Sequence, residues 1–482
     1  MEWLDAADYW LARLALQRAV GLVYLIAFLV AANQFRPLLG EHGLLPVPRY
    51  LARVGFLQAP SLFHLGYSDQ LLSAVSWGGA ALAAAAVLGL PDTWPLPATM
   101  LLWAVLWALY LSIVNVGQVF YSFGWETLLL EAGFLAIFLG PAWTAPPAPL
   151  IWLFRWLLFR LEFGAGLIKL RGDPCWRDLT CLYYHHETQP MPNPLSWYFH
   201  HLPKPIHRLE VLGNHFAQLV VPFFLFAPQP VASIAGAIIV ITQSWLVLSG
   251  NFSWLNFLTS ALAVSAFDDA ALGRLLPFVR PALSAETWHQ LLVAGVAVAV
   301  ALLSYRPVRN MLSSRQRMNY SFDPFHLVNT YGAFGSVTKE RYEVVVEGTD
   351  EAEPTATAWR EYEFRGKPGD VRRLPAQFAP YHLRLDWLMW FAAFSSPLHH
   401  EWFLPLMTKL LQKDPATLRL LARDPFPAAP PRSVRALLYV YRFASRQERR
   451  ATGAWWVRSL VGEYVPPLVL RKPTIGGSHP AR

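Results

Sequence analysis

The chain has 482 residues, of which 54% are hydrophobic and only 15% are charged. Soluble domains average about a quarter charged residues, so this composition excludes an ordinary water-soluble protein along the whole chain. The charge is also uneven: from Arg306 onward there are 26 Lys and Arg against 16 Asp and Glu, whereas the preceding residues are nearly neutral. The basic surplus favours a domain lying beside anionic lipid headgroups, and without a recognition motif it predicts no nucleic-acid partner.

Nine apolar stretches approach the roughly 20 residues that a transmembrane helix needs. They are 15–35, 72–90, 96–119, 124–141, 149–170, 211–227, 230–249, 253–267 and 288–305. Two of them, 211–227 and 253–267, are short enough to be tilted or re-entrant. The sequence therefore predicts an α-helical polytopic membrane domain of about eight to nine transmembrane helices over residues 1–305.

The longest polar interruption of this membrane domain is 171–210, which is dense in His, aromatic residues and Pro. That composition predicts a structured loop. After the last apolar stretch, residues 306–320 form a basic juxtamembrane connector, and the end of the chain, 472–482, is predicted to be disordered.

Residues 321–471 are predicted to form a small soluble α/β domain. In FGSVTKERYEVVVEGT and WREYEFRGKPGD, polar residues alternate with β-branched or aromatic ones, which is typical of strands. The turn-like segment between them, around Gly348, predicts a hairpin. Residues 383–411 and 432–448 have helical spacing and are predicted to be helices.

In the fifth apolar stretch, the ionisable residues Arg155, Glu162 and Lys169 are spaced at intervals of seven. Two heptads drift by only about 40° on an ideal helix, so all three side chains project from nearly one face. Glu126 and Glu131 in the preceding stretch are candidate partners. Such charges mark a functional site by default, but an interhelical network that only fixes packing is an equally open interpretation.

The two cysteines, Cys175 and Cys181, are separated by five residues. This spacing is neither a CxxC redox motif nor a zinc knuckle. A structural disulfide in an oxidising compartment is the favoured interpretation, and a redox-active pair or two free thiols are the alternatives.

Several histidines surround these cysteines, but their pattern predicts no metal site. They are His185, His186, His200, His201, His207 and His215. Adjacent histidine side chains diverge, and neither an HExxH motif nor paired carboxylates accompany them. Because phosphate-binding, dinucleotide-binding and nucleophile-elbow motifs are also lacking, no cofactor is predicted.

Long strings of the sequence resemble the lipase maturation factor family. GAGLIKLRGDPCWRDLTCLYYHHETQPMPNPLSWYFHH, LGNHFAQLVVPFFLF and SGNFSWLNFL are similar to the core of its membrane domain. VNTYGAFGSVTKERYEVVVEGT, WREYEFRGKPGD and APYHLRLDWLMWFAAF are similar to its C-terminal part. The resemblance implies a chaperone-like membrane factor, not a hydrolase, that helps secreted lipases or other exported proteins to fold, assemble and become active.

A shorter string, Ala165–Leu170, is similar to a stretch of vitamin K-dependent γ-carboxylase, whose membrane domain is distantly similar to this one. Lys169 falls where that enzyme carries its catalytic lysine base, whereas Ile168 replaces a second lysine. A desolvated lysine can act as a base. The alternatives to a maturation factor are therefore a membrane enzyme acting on a lipid or quinone with Lys169 as base, and a thiol-redox factor using Cys175 and Cys181.

The resemblance assigns the predicted client surface to the 171–210 loop and the C-terminal domain. The candidate client-binding residues are Trp176, Arg177, Asp178, Tyr331, Phe334, Arg341, Trp359, Arg360 and Trp387. The expected partners are membrane lipids and a secreted lipase or another exported client.

The predicted location is a bacterial inner membrane with the C-terminal domain in the periplasm. The Arg-heavy, compact chain favours a bacterial source, and the family resemblance places the tail outside the cytoplasm. The positive-inside rule conflicts with this topology, because four basic residues follow the last stretch: Arg306, Arg309, Arg315 and Arg317.

Overall fold

The computed structural model describes residues 4–470 and divides the chain into two compact units. The first unit comprises the chain up to Glu340 together with Leu374–Arg384, and the second comprises Arg341–Arg373 and the chain from Leu385 onward. The predicted disordered tail, 472–482, lies outside the described residues. Segments 321–340 and 374–384, predicted to be part of the soluble domain, thus pack with the membrane unit, and the compact C-terminal unit begins at Arg341.

The first unit is almost entirely helical. Its α-helices are α1 (Trp10–Leu39), α2 (Val47–Leu51), α3 (Asp69–Leu88), α4 (Leu96–Val116), α5 (Gly124–Ala136), α6 (Ala148–Arg171), α7 (Pro174–Arg177), α8 (Leu182–Thr188), α9 (Ser196–His200), α10 (Lys204–Leu219), α11 (Val231–Ser249), α12 (Leu255–Ala263), α13 (Asp269–Leu272), α14 (Thr287–Leu303) and α15 (Tyr305–Leu312).

Six helical segments in the described part of the chain are long and apolar enough to cross a membrane. They are Ala7–Leu39, Asp69–Leu88, Leu96–Val116, Lys204–Phe226, Val231–Ser249 and Thr287–Leu312. A helical membrane domain is therefore confirmed, but the predicted eight or nine spans are not.

Three of the predicted stretches are not among these six segments. The stretch 124–141 forms only the 13-residue α5, and 253–267 forms the short helix Leu255–Ala266. The 24-residue α6 is long enough, but its length is interrupted by buried charges such as Arg155, Arg160 and Glu162.

Local sequence explains where the membrane helices begin and end. The α3 helix begins after Ser68, whose side chain accepts a hydrogen bond from the Leu71 amide, and it ends at Gly89 in the left-handed region (φ +80°). Both residues satisfy backbone groups that a helix end leaves unpaired. Helix α3 packs against α1 so closely that a Cβ at Gly79 would lie 2.4 Å from the Phe28 ring.

The second unit is built around a four-stranded antiparallel sheet in the order β2-β1-β5-β6, with a second two-stranded sheet of β3 and β4. The strands are β1 (Arg341–Thr349), β2 (Arg360–Glu361), β3 (Glu363–Phe364), β4 (Leu421–Arg423), β5 (Ser433–Phe443) and β6 (Trp456–Val469). The helices are α16 (Arg384–Ala392), α17 (Phe403–Leu411), α18 (Pro415–Leu418) and α19 (Arg446–Thr452).

The strand pairing supports one sequence prediction and overturns another. Strands β1 and β2 pair antiparallel, as the predicted hairpin requires, but Gly348, predicted to lie in the turn, is part of β1 and lies opposite Arg360. The prediction of a helix over 432–448 is wrong, because Ser433–Phe443 form strand β5, which pairs with β1 on one side and β6 on the other. The segment SVRALLYVYRF is rich in β-branched and aromatic residues, and a strand paired on both sides overrides its weaker helical spacing.

Candidate functional site

The five predicted intramembrane charges do not converge on one site. The Arg155 Nε donates a hydrogen bond of 2.9 Å to the Ser265 carbonyl, and its guanidinium lies 5.0 Å from the Tyr9 ring centroid. Glu162 is buried elsewhere on α6 and accepts a 2.7 Å hydrogen bond from Gln243 Nε2. Glu162 and Lys169 interact electrostatically and both contact Gln218, whereas Arg155 has separate partners.

Lys169 is buried and held by amide oxygens from α10. Its Nζ donates to Gln218 Oε1 at 2.7 Å and to Asn214 Oδ1 at 3.3 Å, and it lies 5.2 Å from the Trp176 ring centroid. The Glu162 carboxylate attracts it electrostatically. The amine is thus engaged in a polar network that links α6 to α10.

Glu131 lies in a fully buried ion pair whose other members the sequence prediction missed. It pairs with Arg160 of α6 and accepts hydrogen bonds from the Asn329 backbone amide at 3.0 Å and the Tyr331 hydroxyl at 2.7 Å. The Arg160 side chain also donates to the Asn329 carbonyl at 2.7 Å. Helices α5 and α6 and the irregular 321–340 segment are therefore joined at one carboxylate.

Glu126 forms a second buried ion pair, with Arg384 at 2.8 Å. It also accepts a hydrogen bond from the Tyr110 hydroxyl, and the Arg384 guanidinium lies 3.4 Å from the Tyr121 ring centroid. Because Arg384 ends the 374–384 segment, this pair joins that segment to α4 and α5. Both buried glutamates have partners that neutralise them, which is the arrangement expected of structural charges.

Cys175 and Cys181 form a disulfide with their Cα atoms 4.7 Å apart, within the range that unstrained backbones span. The bridge is buried in a small apolar cluster with Trp176, Val211 and Val337. It closes the beginning of the predicted 171–210 loop, and that loop is a structured run of short helices.

The disulfide-closed turn is fastened to the 321–340 segment. Trp176 Nε1 donates to the Phe334 carbonyl at 2.8 Å, and the Asp173 amide donates to the Gly335 carbonyl at 2.8 Å. A Cβ at Gly172 would lie 2.1 Å from that same carbonyl oxygen, so only glycine permits the approach.

The predicted client-binding residues divide sharply by exposure. Four are buried: Trp176, Tyr331, Arg341 and Trp387. Phe334 and Trp359 are partly buried, and the exposed ones are Arg177, Asp178 and Arg360. In this structure the buried members support packing, and only the exposed ones offer a polar surface to a partner.

Two of the histidines set aside by the sequence prediction come together with a carboxylate. Ligand atoms of His186, His207 and Glu210 all lie within 4.8 Å of one another. His185 is not part of this cluster: its ring lies parallel to Phe252, with the centroids 6.2 Å apart, and burial and the neighbouring His186 lower its pKa to about 3. His185 is therefore a neutral packing residue.

The fold and the site define a class: a polytopic membrane protein with buried charge pairs and a sheet-containing C-terminal unit. Two family models match in succession along this chain. The lipase maturation factor transmembrane domain matches residues 11–274, and the lipase maturation factor C-terminal domain matches residues 327–466. The chain belongs to the lipase maturation factor family, as the resemblance predicts.

Named relatives are similar over nearly the full length. Lipase maturation factor 1 from Bos taurus is 47% identical over 96% of this chain and 90% of its own length. The human lipase maturation factor 1 is 46% identical over 97% and 90%, and human lipase maturation factor 2 is 30% identical over 95% and 82%. No solved structure matches the chain. The comparisons support neither the membrane-enzyme nor the thiol-redox alternative.

Proposed function

We propose that this protein is a membrane-embedded maturation factor that brings a secreted lipase to its active form. The observation that carries the proposal is the 47% identity to lipase maturation factor 1 over 96% of the chain. Identity at this level spans both the membrane unit and the C-terminal unit, so it concerns the whole protein and not one shared module.

The proposed client-facing surface of the membrane unit is the exposed pair Arg177 and Asp178. These residues end and cap α7, the short helix held by the Cys175–Cys181 disulfide. A turn fixed by a disulfide and by Trp176 presents its two charges with little conformational freedom, which lowers the entropic cost of binding.

The C-terminal unit offers its own exposed position at Arg360, on the edge strand β2. Its guanidinium lies 4.1 Å from the Phe426 ring centroid and pairs with the exposed Asp350 at 2.5 Å. Because β2 has only two residues, it is too short to template pairing with another chain, and the proposed contact is made by the Arg360 side chain.

We further propose that the disulfide loop and the C-terminal unit face the oxidising side of the membrane. A buried disulfide is characteristic of secretory or periplasmic compartments. The relatives named above are vertebrate, and the bacterial inner membrane and periplasm stay a prediction. The test is an Asp350→Cys variant treated with a membrane-impermeant maleimide that reaches only one side of the membrane. Labelling from the oxidising side supports this topology, and labelling only from the cytoplasmic side contradicts it.

The proposed function is tested by complementation. A lipase is expressed in cells lacking their own maturation factor, with this chain or an empty vector, and secreted activity is divided by secreted lipase mass. We expect the chain to raise this ratio at least several-fold. An unchanged ratio at verified expression, with more than one lipase as client, overturns the proposal.

A further inference from the structure

A buried cluster in the membrane unit has the composition of a metal site. His186 lies on α8, and His207 and Glu210 lie three residues apart on α10. Residues three apart on a helix share a face, so α10 presents an imidazole and a carboxylate together toward the His186 ring. The three side chains are 3%, 2% and 8% exposed, respectively.

The donor atoms have nearly the spacing that a metal ion requires. His207 Nδ1 lies 2.9 Å from Glu210 Oε2, and His186 Nε2 lies 3.8 Å from the same oxygen. Zinc–nitrogen and zinc–oxygen bonds of about 2.0 to 2.2 Å place tetrahedral ligands roughly 3.3 Å apart. All three ligand atoms lie within 4.8 Å of one another, so binding an ion requires side-chain rotations that draw them together.

Outer contacts leave the correct atoms free to coordinate. Trp245 Nε1 donates to Glu210 Oε1 at 2.9 Å, which leaves Oε2 facing the histidines. His207 Nε2 lies 3.4 Å from the His200 carbonyl, and a proton on that nitrogen leaves the Nδ1 lone pair for a ligand bond. Hydrogen bonds of this kind orient the ligands in known metal sites.

His186 supplies independent evidence that a ligand belongs here. Neither of its ring nitrogens has a hydrogen-bond partner among the described residues, because the 3.8 Å separation from Glu210 is too long for a hydrogen bond. Burying an unpartnered polar group is costly. A bound ion would give Nε2 a partner and account for the ring's position.

We propose that His186, His207 and Glu210 bind one divalent transition-metal ion of the zinc class. Two imidazoles and one carboxylate are a ligand set that zinc accepts, with a fourth position left for water or a client group. Hard-oxygen cations such as Mg²⁺ or Ca²⁺ are disfavoured by the two nitrogen donors. The opposing possibility is a hydrogen-bonded His207–Glu210 pair that takes up no metal.

The test is the zinc content of the full-length chain. The protein is purified in detergent through a tag without histidine, dialysed against excess zinc, and then dialysed against metal-free buffer. We expect about one zinc per chain in the wild type, and at least 100-fold weaker binding in His207→Gln and Glu210→Gln, since even outer-shell changes cost 10- to 100-fold. His215→Gln is the matched control because His215 lies on the same helix and contacts the Trp176 carbonyl instead.

Equal zinc in the wild type and Glu210→Gln, or none in the wild type, overturns the proposal. If the ligand variants do not fold, the chelator-treated wild type is titrated with Co²⁺. A visible Co²⁺ absorption band that saturates at one equivalent of Co²⁺ per chain supports the site. If folded protein gives no such band, the proposal is overturned. These readouts need no lipase, so their failure is distinguishable from failure of the proposed function.

Discussion

The two units accommodate buried charge in different ways. In the membrane unit, Glu131 is satisfied by Arg160 on the neighbouring long helix and by Asn329 and Tyr331, about two hundred residues along the chain. In the C-terminal unit, Glu343 pairs with Arg341 at 2.5 Å, two residues away on the same strand, and with Lys367 at 2.9 Å.

This difference indicates which parts of the chain each buried ion pair connects. Side chains two apart on a strand share a face, so the Arg341–Glu343 pair forms as soon as β1 does. The Glu131 and Glu126 pairs form only when segments 321–340 and 374–384 have returned to the helices. The buried pairs of Glu131 and Glu126 therefore join distant parts of the chain, whereas the Arg341–Glu343 pair reinforces a single strand.

The largest expected effect comes from removing one buried charge in the membrane unit. Glu131→Gln leaves the Arg160 guanidinium buried without its counter-charge, and breaking such a pair costs about 3–5 kcal/mol. The variant should show a strongly lowered unfolding temperature in detergent. The control is Glu41→Gln, at an exposed position of the same unit; equal unfolding temperatures for both variants would show that the pair does not hold the unit together.

A second prediction concerns pH and the C-terminal unit. Burial raises the pKa of Asp386 to about 6, and its carboxylate accepts a hydrogen bond from the Gly366 amide at 2.6 Å. A raised carboxyl pKa contributes stability that is present below the unfolded value near 4 and is lost as pH rises through about 6.

The difference between a pKa near 4 in the unfolded chain and about 6 in the folded protein corresponds to a loss of about 3 kcal/mol of folding stability between pH 4 and pH 6. Asp386→Asn should remove this pH dependence. The measurement is the difference between the unfolding temperatures of the C-terminal unit at pH 4 and at pH 6, recorded on the full chain. Asp350→Asn, at an exposed pair, should leave the wild-type pH profile in place. Parallel profiles for wild type and Asp386→Asn would refute the assignment.

The smallest expected effect tests close packing between membrane helices. A Cβ at Gly133 of α5 would lie 1.8 Å from the Tyr24 hydroxyl, whereas Gly213 of α10 has nothing within 4 Å. Gly133→Ala should destabilise the membrane unit by about 1–3 kcal/mol through overpacking. Gly213→Ala should be neutral or slightly stabilising because alanine is the better helix former; a similar gain at Gly133 would contradict the packing.

Local patterns in the sequence predict the β1–β2 hairpin and the seven-residue spacing of the α6 charges, because both depend on neighbours along the chain. The ion-pair partners do not follow from spacing, since Arg160 is offset from that face and Arg384 is over 250 residues from Glu126. Strand β5 was mistaken for a helix because its pairing with β1 and β6 is a tertiary interaction.

The histidine cluster is partly encoded in a local sequence pattern. Adjacent histidines diverge, whereas His207 and Glu210 have the i, i+3 spacing that places two side chains on one helix face. His186 reaches them only because α8 packs against α10, and no local pattern encodes that contact.

The most direct measurement uses a double variant of this chain, Arg177→Glu with Asp178→Lys. The specific activity of a lipase secreted from cells that express the variant is measured and divided by the amount of folded variant protein. Both side chains are exposed, so the variant should keep the wild-type unfolding temperature yet lower lipase activity several-fold, while Glu41→Gln retains it. Full lipase activity from the double variant would contradict the assignment of client handling to this turn.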